Sequence, residues 1–233
     1  MSTRPDGIVI AIDGPSGAGK STLARLLAER LGYLQIDTGA MYRAAALLID
    51  RAGIDLGDEG ELERFCGGIS IRLESALGKQ VVIANGSDVT DSIRTPEMSL
   101  LTSRISAFGP VREALMESQR LMGIRGGVVL EGRDIGTVVF PDAELKFFLS
   151  ASPEERGRRR FEELTSKGEP VTLEDTVADV IRRDRQDSVR ELAPLRKADD
   201  AVSIDSSGMG IEDVLATMME HINKRTVTRG KPL

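Results

Sequence analysis

The sequence predicts an α/β fold in which a parallel five-stranded sheet is flanked by helices. Five short, nearly continuous apolar runs recur along its 233 residues, and segments with helical spacing of their apolar residues separate these runs. Such runs suit strands that are buried on both faces, and strands that alternate with helices pair in parallel. A glycine-rich loop joins the first strand to the first helix. These three observations together predict an open parallel sheet.

Each element of this fold has its own signal. The predicted strands are the apolar runs 7–12, 34–36, 127–130, 145–149 and 201–204. The predicted helices are the segments 19–31, 38–51, 96–107, 110–122, 152–166, 172–187 and 210–224. Several of these helices have starts marked by residues that cap helix N-termini, such as Thr38, Ser152 followed by Pro153, and Thr172 followed three residues later by Asp175.

One stretch, residues 69–91, departs from the alternation of strands and helices. It contains apolar runs at 69–73, 81–84 and 88–90, with one turn expected at Gly78–Lys79 and another at Asn85–Gly86. Asn-Gly between apolar runs is a strong signal for a β-hairpin. We therefore predict a small antiparallel β insertion on the α/β core.

The composition excludes several kinds of chemistry. With one histidine, His221, and one cysteine, Cys66, the chain cannot build an intramolecular disulfide, a CxxC metal site or a multi-histidine cluster. Aromatic residues make up 3% of the chain, which argues against a platform for stacked nucleic-acid bases. Of the 31 basic residues 24 are arginines, which suit phosphate ligands, although a GC-rich genome explains the bias equally well.

Charge and hydropathy patterns favour a cytoplasmic protein. The 31 basic and 37 acidic residues leave a net charge of −6, which disfavours a nucleic-acid partner. The longest apolar runs are far shorter than a membrane span, and a predicted strand begins at Gly7, which leaves little room for a targeting segment. We therefore expect a cytoplasmic location, no membrane partner and a monomer.

The glycine-rich loop carries the strongest motif of the chain. It matches the pattern G-x-x-x-x-G-K-[ST] with Gly14, Pro15, Ser16, Gly17, Ala18, Gly19, Lys20, Ser21 and Thr22. The glycines let successive backbone N–H groups point at an anion, and the helix N-terminus adds its positive end. We expect this loop to bind the phosphates of ATP, with Lys20 on the β- and γ-phosphates and the Ser21 hydroxyl on Mg²⁺.

A phosphate-binding loop leaves the reaction open. The chain has no N-K-x-D segment, which a GTPase uses to bind guanine, and the apolar run 128–131 ends in Glu131 where a motor or transport ATPase has an aspartate. Two anionic substrates held close together need dense positive charge between them, and arginines are scattered over the predicted helices. The pattern therefore favours a kinase that acts on a small phosphorylated acceptor.

Two further segments point to a family. Asp37-Thr-Gly-Ala-Met-Tyr-Arg43 follows the second predicted strand, and Glu131-Gly-Arg-Asp-Ile-Gly-Thr-Val-Val-Phe-Pro-Asp142 follows the third. With the glycine-rich loop they closely resemble the bacterial cytidylate kinase family, from Ile8 to about Asp205 and including 69–95. The resemblance implies a P-loop kinase core with a helical lid, and transfer of a phosphoryl group from ATP, with Mg²⁺, to CMP and dCMP.

The resemblance also implies roles for individual residues. The acceptor phosphate and nucleoside are expected at Thr38 and Arg43, and the cytosine at Ser103, Arg112 and Asp134. Phosphate contacts are expected from Arg133, Arg183 and Arg190, and a ribose contact from Asp187. The groups that neutralise charge on the transferred phosphoryl, and are catalytic in that sense, would be Lys20, Arg133, Arg183 and Arg190.

Elementary chemistry supports part of this assignment. A carboxylate such as that of Asp134 accepts from the N4 amino group of cytosine, whereas uracil presents an acceptor at that edge. An aspartate next to an arginine is nevertheless more often a salt-bridge partner. No general base is required, because the acceptor phosphate is already ionised at pH 7.

The most basic segment is Arg156-Gly-Arg-Arg-Arg160. Arg156, Arg159 and Arg160 share a helical face, and in related kinases this region is a lid over the donor phosphates, so we assign Arg159 to the donor. A solvated face balanced by neighbouring glutamates is an equal alternative.

We predict a single domain over residues 1–233. Its core comprises 7–60, 108–152 and 191–225, with a monophosphate-binding insertion at about 61–107 and a lid at about 153–190. Two other functions stay open: a P-loop kinase of another acceptor such as UMP, AMP or a non-nucleotide acid, and a nucleotide-dependent switch with little turnover.

Overall fold

Strands and helices alternate along most of the chain, of which the computed structural model describes residues 4–76 and 79–227. In chain order the strands are β1 (Val9–Asp13), β2 (Leu34–Asp37), β3 (Ile71–Ala76), β4 (Lys79–Ala84), β5 (Ser87–Asp88), β6 (Val128–Gly132), β7 (Leu145–Ser150) and β8 (Val202–Asp205). The α-helices are α1 (Lys20–Leu31), α2 (Thr38–Ala52), α3 (Glu59–Cys66), α4 (Pro96–Ile105), α5 (Gly109–Gly123), α6 (Pro153–Ser166), α7 (Leu173–Val189) and α8 (Ile211–Val227).

The larger sheet has five strands in the order β2-β6-β1-β7-β8. β1 pairs in parallel with β6 and β7, and β7 pairs in parallel with β8. The predicted parallel sheet and its five strands are therefore confirmed. Every residue of β1 is buried, as expected for a central strand with both faces covered.

The smaller sheet is the predicted antiparallel insertion, with the order β3-β4-β5. Its second turn is the expected Asn-Gly turn: Asn85 and Gly86 have φ values of 46° and 82°, and Ala84 pairs with Ser87 across them. Positive φ at both central residues is the geometry that tight hairpins require. The turn expected at Gly78–Lys79 includes Gly78, which lies outside the described residues.

All seven predicted helices are present, with ends that differ by at most three residues. Ser152 and Thr172 cap α6 and α7 as expected, since their hydroxyls accept from the N–H groups of Glu155 and Asp175. The prediction that Thr38 caps α2 is wrong. The cap is Asp37, whose carboxylate accepts from Ala40 N, and Thr38 is the first helical residue. A carboxylate both accepts this bond and complements the positive end of the helix.

Two elements were not predicted. The helix α3 has only two buried residues, Leu62 and Cys66, so its apolar periodicity is too short to read from the sequence. A π-helix at Ile135–Val139 follows β6, and this wide turn has no periodic signature in five residues.

The chain divides into two compact units, each with its own core. The sheet unit comprises Met1–Gln35 with Arg125–Leu233, and the helical unit comprises Ile36–Ile124. The core of the sheet unit packs β1 and β7 against α1 and α8 through buried residues such as Ile10, Leu27, Phe147 and Met218. In the helical unit α2, α3 and α5 contribute buried side chains, among them Met41, Leu62 and Leu115.

Candidate active site

The glycine-rich loop lies at the carboxyl end of β1 and leads into α1. Gly14 has a φ of 152°, and a Cβ at this position would lie 2.0 Å from the Leu149 carbonyl oxygen on the neighbouring strand. Gly17 and Gly19 have φ values of 77° and 92°. These conformations are accessible to glycine but strained for other residues, so the loop geometry explains the motif.

Lys20, the first residue of α1, is folded back over this loop. Its side chain is buried, with 6% exposed, and Nζ donates to the Pro15 carbonyl oxygen at 2.6 Å. The pKa of Lys20 is lowered to about 7, chiefly by burial and also by the positive charge of Arg133, while the carboxylates of Glu131, Asp13 and Asp187 oppose the shift. Lys20 therefore lies within electrostatic reach of Arg133 and Asp187, and a phosphate anion beside it would favour its charged form.

Glu131, at the carboxyl end of β6, binds the hydroxyl that was expected to hold a metal. Ser21 Oγ donates to Glu131 Oε2 at 2.7 Å, and Gln35 Nε2 donates to Oε1 at 3.4 Å. The glutamate is 3% exposed. Its signal in the sequence is an acidic residue at the end of an apolar strand, which by itself indicates only a departure from the aspartate of ATPases.

The hydroxyl of Ser21 and the carboxylate of Glu131 are hard oxygen donors of the kind that Mg²⁺ prefers. Among the described residues, histidine, cysteine, aspartate and glutamate form no group of three or more that could hold a metal ion. Mg²⁺ keeps several waters and is commonly held by one or two protein ligands together with substrate phosphates.

Four of the predicted acceptor residues meet in what we call the arginine–aspartate cluster: Arg133, Asp134, Asp187 and Arg190. Arg133 Nε donates to Asp187 Oδ2 at 2.8 Å. Arg190 lies 3.9 Å from Asp187 Oδ1 and 3.8 Å from Asp134 Oδ1, and its Nε donates to the Ala193 carbonyl oxygen at 2.6 Å. The two carboxylates thus orient two guanidinium groups, one from the residue that follows α7 and one from the residue that follows β6.

Asp13, the last residue of β1, holds the backbone that directly follows Arg133 and Asp134. Its Oδ1 accepts from Ile135 N at 2.8 Å and its Oδ2 from Gly136 N at 2.7 Å, directly after Arg133 and Asp134. Burial raises the pKa of Asp13 to about 6, although these two hydrogen bonds oppose the shift. Asp13 was not among the predicted site residues; its signal was an acidic residue at the end of an otherwise apolar strand.

The arginines of α6 separate into two groups. Arg156 is buried and donates to the Ser16 carbonyl oxygen and to Asp184, whereas Arg160 pairs with Glu163 on the solvent side. Arg159, assigned to the donor, donates to Glu155 and to the carbonyl oxygen of Ser206. Its role at the donor phosphates therefore stays a prediction.

Arg183 lies half-buried on α7, directly before Asp184 and four residues before Asp187. The other predicted acceptor residues lie in the helical unit. Arg43 on α2 donates to Asp37 Oδ2 at 3.3 Å, and the Arg112 guanidinium lies 6.0 Å from the centre of the Tyr42 ring and donates to the Ser106 carbonyl oxygen. Thr38 is buried at the start of α2, and Ser103 lies on α4.

A glycine-rich loop on a central parallel strand, a buried lysine and arginines held by carboxylates define a P-loop protein equipped to bind phosphorylated ligands. The chain belongs to the cytidylate kinase family, because the family model described as cytidylate kinase matches residues 10–224.

The similarity to individual proteins extends over nearly the whole chain. It is 59% identical over 224 residues to a cytidylate kinase of Citrifermentans bemidjiense, covering 96% of both chains. It is 59% identical over 219 residues to a cytidylate kinase of Geobacter sulfurreducens, covering 94% of both. The bifunctional pantoate ligase/cytidylate kinase of Prochlorococcus marinus is 50% identical over 222 residues, which are 94% of this chain and 45% of that protein.

Proposed function

We propose that the protein transfers the γ-phosphoryl group of ATP to CMP and dCMP, giving the nucleoside diphosphates. The observation that carries this proposal is that one compact unit holds both the glycine-rich loop with its buried Lys20 and the arginine–aspartate cluster, in which Arg133 donates to Asp187 at 2.8 Å. Transfer between two phosphates needs positive charge at the point where they meet. Family membership agrees with this assignment.

The donor half of the site is the glycine-rich loop. Its backbone N–H groups and the N-terminus of α1 would bind the phosphates of ATP. Lys20 would contact the β- and γ-phosphates and stay close to the γ-phosphoryl group during its transfer. Ser21 and Glu131 would hold Mg²⁺, which when bound neutralises charge on the β- and γ-phosphates. Arg159 is a further candidate for the donor phosphates.

The metal assignment has its own test. Replacement of Glu131 with Gln keeps the shape of the side chain but removes its charge, so the apparent affinity for Mg²⁺ in the presence of ATP should fall about tenfold. Calorimetric titration of Mg²⁺ into the protein with a non-hydrolysable ATP analogue measures this without turnover. Glu144→Gln, a change on an acid that pairs with Arg4, is the control. An unchanged Mg²⁺ affinity in Glu131→Gln would contradict the assignment.

The acceptor half is the arginine–aspartate cluster with Arg183. Its arginines would bind the acceptor phosphate and stabilise the charge that develops during transfer, and Asp187 would bind the ribose. Asp134 would accept from the N4 amino group of cytosine, which uracil lacks. The family resemblance adds contacts to the acceptor from Thr38, Arg43, Ser103 and Arg112.

No side chain has to act as nucleophile or general base, because the acceptor phosphate is ionised at neutral pH. The residues of the protein therefore contribute position and charge. Two nucleotides aligned by Lys20 and the arginines react as if in one molecule, which removes much of the entropic barrier.

The experiment that tests the function is an ADP-release assay with CMP, dCMP, UMP, AMP and GMP as acceptors. The proposal expects CMP and dCMP to be preferred over UMP by at least about tenfold in kcat/KM. Equal rates with UMP would overturn the assignment of Asp134, and ADP release that is indifferent to the acceptor would indicate a switch protein.

We also propose that the protein works in the cytoplasm as a monomer with nucleotides as its only substrates. None of the described helices is both long and apolar enough to cross a membrane. The net charge of −6 disfavours a nucleic-acid partner. Sedimentation at micromolar concentration tests the monomer, which a species of about 25 kDa would support.

A further inference from the structure

Arg156 is buried at the junction between the glycine-rich loop and α7, although it belongs to the most basic surface segment of the sequence. Its side chain is 3% exposed. Nε donates to the Ala151 carbonyl oxygen at 2.8 Å, and Nη1 donates to the carbonyl oxygen of Ser16 in the loop at 3.1 Å. Nη1 and Nη2 also donate to the two carboxylate oxygens of Asp184, at 3.0 and 2.5 Å.

The pair of Arg156 and Asp184, called here the Arg156–Asp184 bridge, ends on α7. This helix carries Arg183 and is followed directly by Arg190. Asp184 follows Arg183 and precedes Asp187 by three residues on α7, so Asp184 and Asp187 share a face of the helix. Asp187 in turn binds Arg133 at 2.8 Å. One face of α7 is thus held by two arginines, one joined to the glycine-rich loop and one at the end of β6.

The backbone around the bridge leaves little room for independent movement. A Cβ on Gly17 of the loop would lie 3.0 Å from Arg156 Cβ. A Cβ on Gly157 would lie 2.3 Å from Val177 Cγ2 on α7. The glycine-rich loop therefore packs closely against α6, and α6 packs closely against α7. Closely packed elements transmit displacements to one another.

The chemistry of the bridge suits a coupling role. A bidentate arginine–carboxylate pair is specific in geometry, and a buried pair that loses one partner leaves an uncompensated charge. Ser16 lies within the loop that would enclose the donor phosphates, so any change of this loop on binding acts on Arg156 through the Ser16 carbonyl oxygen.

We propose that the Arg156–Asp184 bridge couples the two nucleotide sites: occupancy of the glycine-rich loop is passed through Arg156 to α7 and strengthens acceptor binding by Arg183, Asp187 and Arg190. Arg156 and Asp184 are positioning residues in this inference, which rests on the proposed function for the identity of the two ligands. Coupling of binding free energies is reciprocal, so the acceptor strengthens donor binding by the same factor.

The test is the dissociation constant of CMP, measured by calorimetry on the full chain with and without a saturating non-hydrolysable ATP analogue. In the wild type we expect the analogue to tighten CMP binding about tenfold. In Asp184→Asn this factor should fall to within about twofold of one, while the analogue alone still binds with nearly wild-type affinity. If the bridge had a purely structural role, Asp184→Asn would weaken the binding of both ligands and leave the coupling factor unchanged.

Asp179→Asn is the matched control, because Asp179 lies on the same helix and pairs with Arg182 at the exposed surface. This variant should keep the wild-type factor. Arg156→Lys provides a second variant in case Asp184→Asn does not fold, since it keeps the charge and loses the bidentate geometry. The double variant should lose no more coupling than either single one, because both changes break one bridge.

A wild-type coupling factor in Asp184→Asn and Arg156→Lys, or no coupling in the wild type, would overturn the inference. The ADP-release assay with CMP separates this failure from that of the proposed function. A protein that phosphorylates CMP but keeps its coupling in both variants contradicts the bridge alone. A wild type that does not phosphorylate CMP contradicts the proposed function itself.

Discussion

Arg156 and Arg160 lie one turn apart on α6, yet the fold uses them in different ways. Arg156 is buried and donates to the carbonyl oxygens of Ala151 and Ser16 and to the carboxylate of Asp184. Arg160 instead pairs at the surface with Glu163, three residues along the same helix. The same contrast separates Lys20, Asp13, Glu131 and Asp134, which are buried, from the ion pairs on the outer face of α6. Two arginines of one helix thus differ in burial and in the number of groups to which each donates.

The physical reason is the cost of removing a charge from water. A buried charge must have partners of good geometry, and its position is then fixed within tenths of an ångström. An exposed pair is solvated and screened, and it holds neither of its members in place. Five changes test this comparison, from the largest expected effect to the smallest.

Lys20→Ala should have the largest effect. It removes the buried charge nearest to the glycine-rich loop, so kcat for CMP should fall by about a thousandfold, the range seen when a group that stabilises transition-state charge is deleted. The ADP-release assay measures this. Lys224→Ala, at an exposed residue that lies 3.7 Å from Glu220, should leave kcat unchanged. A loss of less than about tenfold in Lys20→Ala would remove Lys20 from the catalytic residues.

Arg156→Ala should destabilise the protein strongly. It leaves the carboxylate of Asp184 without its bidentate partner and the Ser16 carbonyl oxygen without its donor, a change that costs about 3–5 kcal/mol for a buried pair. Urea unfolding measures the free energy. A loss below about 1 kcal/mol, the range of exposed pairs, would contradict the contrast between the two faces of α6.

Asp13→Asn should change how stability depends on pH. The raised pKa of Asp13, about 6 against an ordinary 3.8, means that the folded state binds a proton more tightly than the unfolded state. The stability contribution of Asp13 is therefore fully present below about pH 4 and decreases as the pH rises to about 6, by up to about 3 kcal/mol. The difference in unfolding free energy between wild type and Asp13→Asn should decrease over the same interval.

Asp205→Asn is the control for this slope, since the pKa of the exposed Asp205 is lowered by hydrogen bonds from Ser207. Its contribution is present above the ordinary pKa and is lost as the pH falls, so its slope has the opposite sign. Urea titrations from about pH 2.5 to about pH 7.5 would measure both variants, because this interval contains the raised pKa of Asp13 and the range below the ordinary aspartate pKa in which the contribution of Asp205 is lost. A difference between wild type and Asp13→Asn that grows with pH would contradict the raised pKa.

Asp134→Ala should reduce base discrimination more than it reduces ATP binding. The ratio of kcat/KM for CMP over UMP should fall about tenfold to a hundredfold, the order of magnitude of one specific base contact. Asp142→Ala is the control, because this exposed acid lies in the same sequence segment and pairs with Arg4. Equal losses for CMP and UMP would show that Asp134 only holds Arg190.

Arg160→Ala should have the smallest effect. Its pair with Glu163 is at the surface, and deletion of such a pair shifts Tm by less than about 2 °C in a chain of this size. Kinetics with CMP should be unchanged. A marked loss of activity would show that the outer face of α6 also contacts a nucleotide and would break the comparison on which these predictions rest.

Much of the fold could be predicted because its signals are local. The apolar run of β1, the Asn85–Gly86 turn and the caps of α6 and α7 each depend on a few consecutive residues, and all are confirmed. The helix α3 and the π-helix were missed because they bury too few residues to show a period. The cap of α2 was misassigned to Thr38, since Asp37 and Thr38 are adjacent residues of types that both favour caps.

By itself, the sequence determined the class of the fold, the glycine-rich loop and the family, because each depends on residue types at set spacings. Tertiary structure alone decided that Glu131 accepts a hydrogen bond from Ser21 and that Asp13 accepts from the backbone of the turn after Asp134. It also decided that Arg156 is buried and pairs with Asp184. These partners are 28 to more than a hundred residues apart, and which of many charged residues meet depends on how strands and helices pack. Sequence spacing describes neighbours within an element, whereas burial and charge pairing are properties of the assembled core.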